Sequence, residues 1–191
     1  MMPNRTKSNE FNHKDCVPKR DMRSPFLKDL DRYRYFGKLE WYDLSLWVIL
    51  IYRIGQYCSK FRPAWIRQIL RIIHFPFFAL ATIISGIHLP RGARIGGGLR
   101  IWHFGGIILN PNAVMGENCT LRPGVVIGIL NSDDDVPIIG NNVDIGVGAK
   151  ILGAIHIGDN VKIGANAVVI TDVPDNSTAV GIPARVLHRG P

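Results

Sequence analysis

From Ile95 to Val169 an aliphatic residue recurs every sixth position, commonly followed by glycine: Ile95-Gly96, Met115-Gly116, Ile127-Gly128, Ile139-Gly140, Ile145-Gly146, Ile157-Gly158 and Ile163-Gly164. A helix repeats its apolar stripe about every 3.6 residues and a half-buried strand about every 2, so a period of six belongs to neither alone. Three short strands per coil satisfy it. Each strand sends one aliphatic side chain inward, and the small residue after it lets the chain turn a corner. Asn112, Asn118, Asn141, Asn142, Asn160 and Asn166 fill polar positions between the aliphatic ones, where residues that tolerate left-handed dihedrals belong. The pattern predicts a mainly β protein whose residues 86–191 form a parallel β-helix with a C-terminal extension.

Two interruptions stand out. Between Ile107 and Leu109 the phase slips by two residues, directly after Trp102-His103-Phe104-Gly105-Gly106. Such a slip predicts a bulge that re-aims a side chain outward. The stretch from Ile129 to Pro137 also breaks the hexads and predicts a projecting loop, with Asp133, Asp134 and Asp135 at its tip.

Upstream the pattern is helical. Leu44 to Tyr57 is apolar almost throughout, and Arg62-Pro63 should end that helix, because proline disfavours helical dihedrals in the residue before it. A second helix is expected from Ala64 towards Ile84, bending near Pro76. Trp65, Ile66, Ile69, Leu70, Ile72 and Ile73 give it a broad apolar face, while Arg67, Gln68, Arg71 and His74 argue against a membrane-spanning segment. Residues 41–85 read either as a helical pair capping the open end of the coil or as an interfacial anchor on acidic lipid. Residues 1–40 mix charges of both signs with turn formers and read as a basic, partly disordered arm.

The formal net charge of +8 points to an anionic partner: nucleic acid, an acidic lipid surface or a phosphorylated small molecule. No RNA-binding aromatic signature, zinc-finger spacing or helix-turn-helix pattern supports nucleic acid. Cys16, Cys58 and Cys119 are odd in number and irregularly spaced, as expected of reduced thiols. Met1 to Glu10 lacks the apolar core of a signal peptide. The expected location is the cytoplasm, with peripheral contact at the inner face of the membrane.

The chemistry concentrates at His103, since an imidazole re-aimed outward on a bulge can act as a general base. Here the chain resembles the hexapeptide-repeat acyltransferases, and within them the serine acetyltransferase-like branch. The resemblance rests on Ala93-Arg94-Ile95-Gly96-Gly97-Gly98-Leu99, Trp102-His103-Phe104-Gly105-Gly106, Ile145 to Gly153, Asp172 to Asn176, and Gly181-Ile182-Pro183-Ala184-Arg185. It implies a left-handed coil, a homotrimer and acetyl-CoA as co-substrate, with no metal.

By that resemblance His103 is the catalytic base, with a backbone N–H near Gly128 holding the oxyanion. Val147, Gly148, Ala165, Ile170 and Thr171 match the positions along the pantetheine arm, and Lys162 and Arg185 would face the nucleotide phosphates. Serine acetyltransferases carry an aspartate directly before the catalytic histidine, where this chain has Trp102. They also carry a histidine before the proline of the central loop, where it has Val136. The Trp-His-Phe-Gly-Gly form looks most like acetyltransferases of capsule, exopolysaccharide and colanic acid biosynthesis. On that ground the expected acceptor is a hydroxyl of a saccharide or lipid-linked saccharide, met by Trp102, Phe104, Asp134 and Asp135. The alternatives are a serine O-acetyltransferase of cysteine biosynthesis and a non-catalytic trimeric scaffold. A zinc site of the carbonic anhydrase kind is disfavoured by the spacing of His88, His103 and His156.

Overall fold

The computed structural model describes residues 24–132 and 135–188. Their main body is the expected left-handed parallel β-helix, a three-sided prism with one sheet on each side. One face stacks Ile87–His88, Ile107–Leu109, Val126–Gly128, Lys150–Leu152 and Val168–Val169; the other two hold four and six strands. The hexad aliphatics Ile101, Ile127, Ile145, Ile151 and Ile157 point inward, each no more than 1 % exposed. A regular coil takes three hexads, so Ile139 lies beside Ile157, and Ile145 beside Ile163, eighteen residues apart.

The two interruptions appear as longer coils. Ile87 pairs with Ile107 and Arg100 with Thr120, twenty residues on, because the segment at His103 adds two. Thr120 pairs with Asp144 and Val126 with Lys150, twenty-four residues on, because the segment 129–137 adds six. Asn118, Asn142, Asn160 and Asn166 turn corners at positive φ, and side-chain amides link Asn142 to Asn160 and Asn160 to Asn176 at 3.0 Å. Asn112 and Asn141 do not share that conformation. At the far end, Ser177–Gly181 adds to the six-stranded face and folds back into an antiparallel hairpin with Ala184–His188.

Among the described residues three helices precede the coil: α1 (Pro25–Arg32), α2 (Leu44–Cys58) and α3 (Ala64–Ser85). Within the arm expected over residues 1–40, residues 24–40 hold α1 and a short antiparallel hairpin, Arg34–Tyr35 with Lys38–Leu39. Residues 1–23 lie outside the described residues. Ser24 caps α1 by accepting from the Leu27 N–H at 3.4 Å, and Pro25 occupies its first turn.

Lys28 and Asp29 of α1 are buried because they are paired. Asp29, with no exposure, accepts from Arg53 Nε at 2.7 Å, Arg53 Nη2 at 3.1 Å and the Leu99 N–H at 2.8 Å. Arg53 also donates to the Ile95 and Gly96 carbonyls at 2.8 and 2.6 Å. One ion pair therefore fastens α1, α2 and the first coil together. The α3 helix continues through Pro76 and ends at Gly86, whose φ of 65° is the left-handed C-cap that glycine adopts without strain. Cys119 is a core residue, and burial pushes its thiol up to about 12. Cys58 is also free, and Cys16 lies outside the described residues.

Candidate active site

His103 sits at the corner between the six-stranded and five-stranded faces, exposed, with φ of 62°. Left-handed dihedrals are uncommon for residues other than glycine, although histidine, asparagine and aspartate adopt them more readily than most. The extra residues of its coil and the glycines after it, Gly105 at φ 119° and Gly106 at φ 65°, lift the imidazole off the prism.

Small residues continue from this corner along one edge of the prism. The Gly124 N–H donates to the Gly105 carbonyl at 2.9 Å, the Gly148 N–H to Pro123 at 2.8 Å, and the Asn166 N–H to Val147 at 2.8 Å. Gly106, Gly124 and Gly148 stand one above another, and a methyl group on Gly124 would lie 3.2 Å from the Gly148 Cα. Lys150 fixes this edge by donating to the Gly124 and Gly148 carbonyls at 2.5 and 2.9 Å. Sequence reading missed Lys150, since a lysine at the start of a coil strand looks like ordinary surface.

The residues expected along the pantetheine arm, with Gly128, fall on the two edges of the five-stranded face. Val147, Gly148 and Ala165 belong to the edge that starts at His103, and Val147 is 45 % exposed. Gly128 and Ile170 belong to the opposite edge, where Leu152 pairs with Gly128 and Thr171 follows Ile170 away from the coil. Lys162 is exposed on a strand of the six-stranded face, and Arg185 is exposed on the terminal hairpin, paired in register with Val180.

His103 and Gly128 therefore flank opposite edges of one face. The four residues from Gly124 to Gly128 span about 13 Å at about 3.3 Å per strand residue.

The expected acceptor residues are placed as follows. Trp102 has one ring face against Arg100, whose guanidinium carbon is 4.3 Å from the ring centroid. Phe104 is 55 % exposed beside His103. Asp134 lies outside the described residues. Asp135 closes its own loop, accepting from the Ala154 N–H at 2.8 Å and from the Asn131 N–H at 3.2 Å. Glu117 accepts from Lys28 Nζ at 2.9 Å. The loop that holds Asp135 also walls a cavity of about 550 Å³ on the four-stranded face, between Val136, Pro137, Val114 and Arg94. Among the described residues no group of three His, Cys, Asp or Glu side chains is arranged to hold a metal ion.

No family model matches the chain. The serine acetyltransferase of Helicobacter pylori (strain ATCC 700392 / 26695) is 40 % identical over 143 residues, covering 74 % of this chain and 80 % of that protein. The chain belongs to the serine acetyltransferase family. The enzyme of the same name from Synechococcus elongatus is 40 % identical over 134 residues, 69 % of this chain and 55 % of that protein, so the match spans about half of it. A solved serine acetyltransferase in complex with CoA superposes with a TM-score of 0.71 at 29 % identity, over 85 % of this chain and 68 % of that one.

These relatives overturn the saccharide acceptor expected from Trp-His-Phe-Gly-Gly: their names give serine, the reading held as the alternative. Two of the residues expected to meet a saccharide are engaged within the protein: Arg100 stacks on one face of Trp102, and Asp135 accepts from the Ala154 and Asn131 N–H groups.

Proposed function

We propose that the protein is an acetyl-CoA-dependent serine O-acetyltransferase whose base is His103. The observation that carries the reading is the edge of small residues running from His103 through Gly106, Gly124, Val147 and Gly148 to Ala165. Only such an edge lets an extended pantetheine arm lie against backbone and end beside an imidazole.

The His103 imidazole takes the proton of the serine hydroxyl as its oxygen bonds to the thioester carbonyl carbon. A backbone N–H near Gly128 holds the tetrahedral oxyanion. The carbon–sulfur bond then breaks, and the imidazolium returns its proton to the departing CoA thiolate.

The separation of about 13 Å between the two edges exceeds hydrogen-bond reach. The reading therefore places His103 of one protomer opposite Gly128 of its neighbour in a homotrimer, with the acyl donor between them. Lys162 and Arg185, both exposed, suit the nucleotide phosphates.

The test is release of free thiol from acetyl-CoA with L-serine as acceptor. Saturable, serine-dependent release supports the assignment. Thiol release no faster with serine than in its absence overturns it.

A further inference from the structure

The α3 helix is apolar on the side turned away from the protein. Its 22 residues have a mean hydropathy of 1.5 in the most apolar window, and only 11 % of that window is buried. Trp65, Ile69, Ile72, Ile73, Leu80 and Ile83 follow helical spacing along one arc and are 48–80 % exposed. Phe75 and Phe77 widen the arc at 63 and 60 % exposure, and Trp47, Ile54 and Tyr57 of α2 continue it. Among the described residues nothing covers this surface, which exceeds the scattered apolar exposure normal for a soluble chain.

The opposite side of α3 is committed to the protein. His74 is buried with its Nε2 2.8 Å from the Ile51 carbonyl, and Gly55 leaves the room that the His74 ring and Arg91 occupy. Ser85 is buried at the C-terminal end, where its hydroxyl accepts from the Ile87 N–H at 3.1 Å. Lipid cannot surround α3 without stripping it from α2, so the geometry suits a helix lying in a surface.

Charge selects the occupant. Between Asp43 and Glu117 the chain holds no acidic residue, yet Lys60, Arg62, Arg67 and Arg71 cluster around the N-terminal part of α3. Arg67 and Arg71 flank the arc on its polar side, and a second copy packed on this face would offer these cations no carboxylate from residues 44–116. Phospholipid phosphates supply those anions, and the rings of Trp47, Tyr57 and Trp65 suit the depth between head groups and acyl chains.

We propose that the exposed faces of α2 and α3 dock the protein, in plane, onto an acidic lipid bilayer. The test is flotation of the full chain with vesicles of phosphatidylcholine alone or mixed with phosphatidylglycerol, at low salt. Recovery with acidic vesicles should exceed that with neutral ones about tenfold, and high salt should release the protein. The double variant Ile72→Asp/Ile83→Asp should lose binding by at least about tenfold with its melting curve unchanged, since both side chains are exposed. Arg62→Glu/Arg71→Glu should abolish the preference for acidic vesicles.

Absence of flotation with acidic vesicles overturns the proposal, as does binding that survives the aspartate pair. If those aspartates instead halve the particle mass measured by light scattering and no vesicle is bound, the face is a contact between copies and the lipid assignment falls. Turnover with serine is read separately, so failure here leaves the proposed reaction standing.

Discussion

The guanidinium of Arg100 is clamped between two rings, its carbon 4.3 Å from the centroid of Trp102 and 3.9 Å from that of Tyr33. It carries the residue before His103 on a buried charge. Nη2 reaches Glu40 at 2.7 Å and Asp43 at 3.6 Å, while among the described residues the buried Nε and Nη1 have no hydrogen-bond partner. The pair joins the hairpin after α1 and the start of α2 to the coil beneath the proposed base.

Arg100→Leu should therefore cost about 3 kcal/mol, because Glu40 and Asp43 would keep partly buried charges without a partner. Arg100→Lys should cost less, about 1–2 kcal/mol, restoring charge without a planar group to lie between the rings. Urea unfolding midpoints check both, and a leucine variant as stable as the parent would remove the argument.

His103→Asn separates chemistry from backbone. Asparagine tolerates φ near 62°, so stability should stay within about 0.5 kcal/mol. Turnover with serine should fall about 10²- to 10⁴-fold while acetyl-CoA binding persists. Steady-state kinetics beside a binding isotherm read the two effects apart.

Gly146 and Gly128 should respond oppositely to a methyl group. At Gly146 an added Cβ would sit 2.6 Å from the Ala165 nitrogen and 2.7 Å from the Gly164 carbonyl carbon, backbone that cannot swing away. Gly146→Ala should lose about 1–3 kcal/mol. At Gly128 the nearest atom is the flexible Leu152 Cδ2 at 3.7 Å, so Gly128→Ala should fold normally and raise the KM for acetyl-CoA. Melting curves and initial rates distinguish the two.

Stability should fall at alkaline pH through two buried phenols. Burial pushes the Tyr33 and Tyr52 hydroxyls up to about 12. In the unfolded chain they ionise near 10, so between about pH 10 and 12 the unfolded state binds fewer protons and stability declines as pH rises. Below pH 10 these groups contribute no slope. Melting temperatures across this range, compared with Tyr52→Phe, should show a shallower decline in the variant.

The hexad period was readable because every coil meets the same steric demand: an aliphatic side chain inside and a small residue at the corner. The slip between Ile107 and Leu109, directly after Trp102–Gly106, was readable for the same reason, since Leu109 restarts a phase two residues out of step with the one that Ile95, Ile101 and Ile107 keep. The helix Pro25–Arg32 escaped notice because its buried side includes Lys28 and Asp29, which look solvated until Glu117 and Arg53 are brought to them. Ser24-Pro25 was its one local signal, a cap followed by a first-turn proline.

Local repetition along the chain was enough to specify the prism and where its rhythm fails, because packing inside each coil depends on residues six apart. Which edge carries His103, that Gly128 lies across the face from it, and that Arg100 holds Trp102 down all depend on residues brought together from distant coils and helices. Contacts of that kind leave no period in the sequence, and only the wound chain sets them.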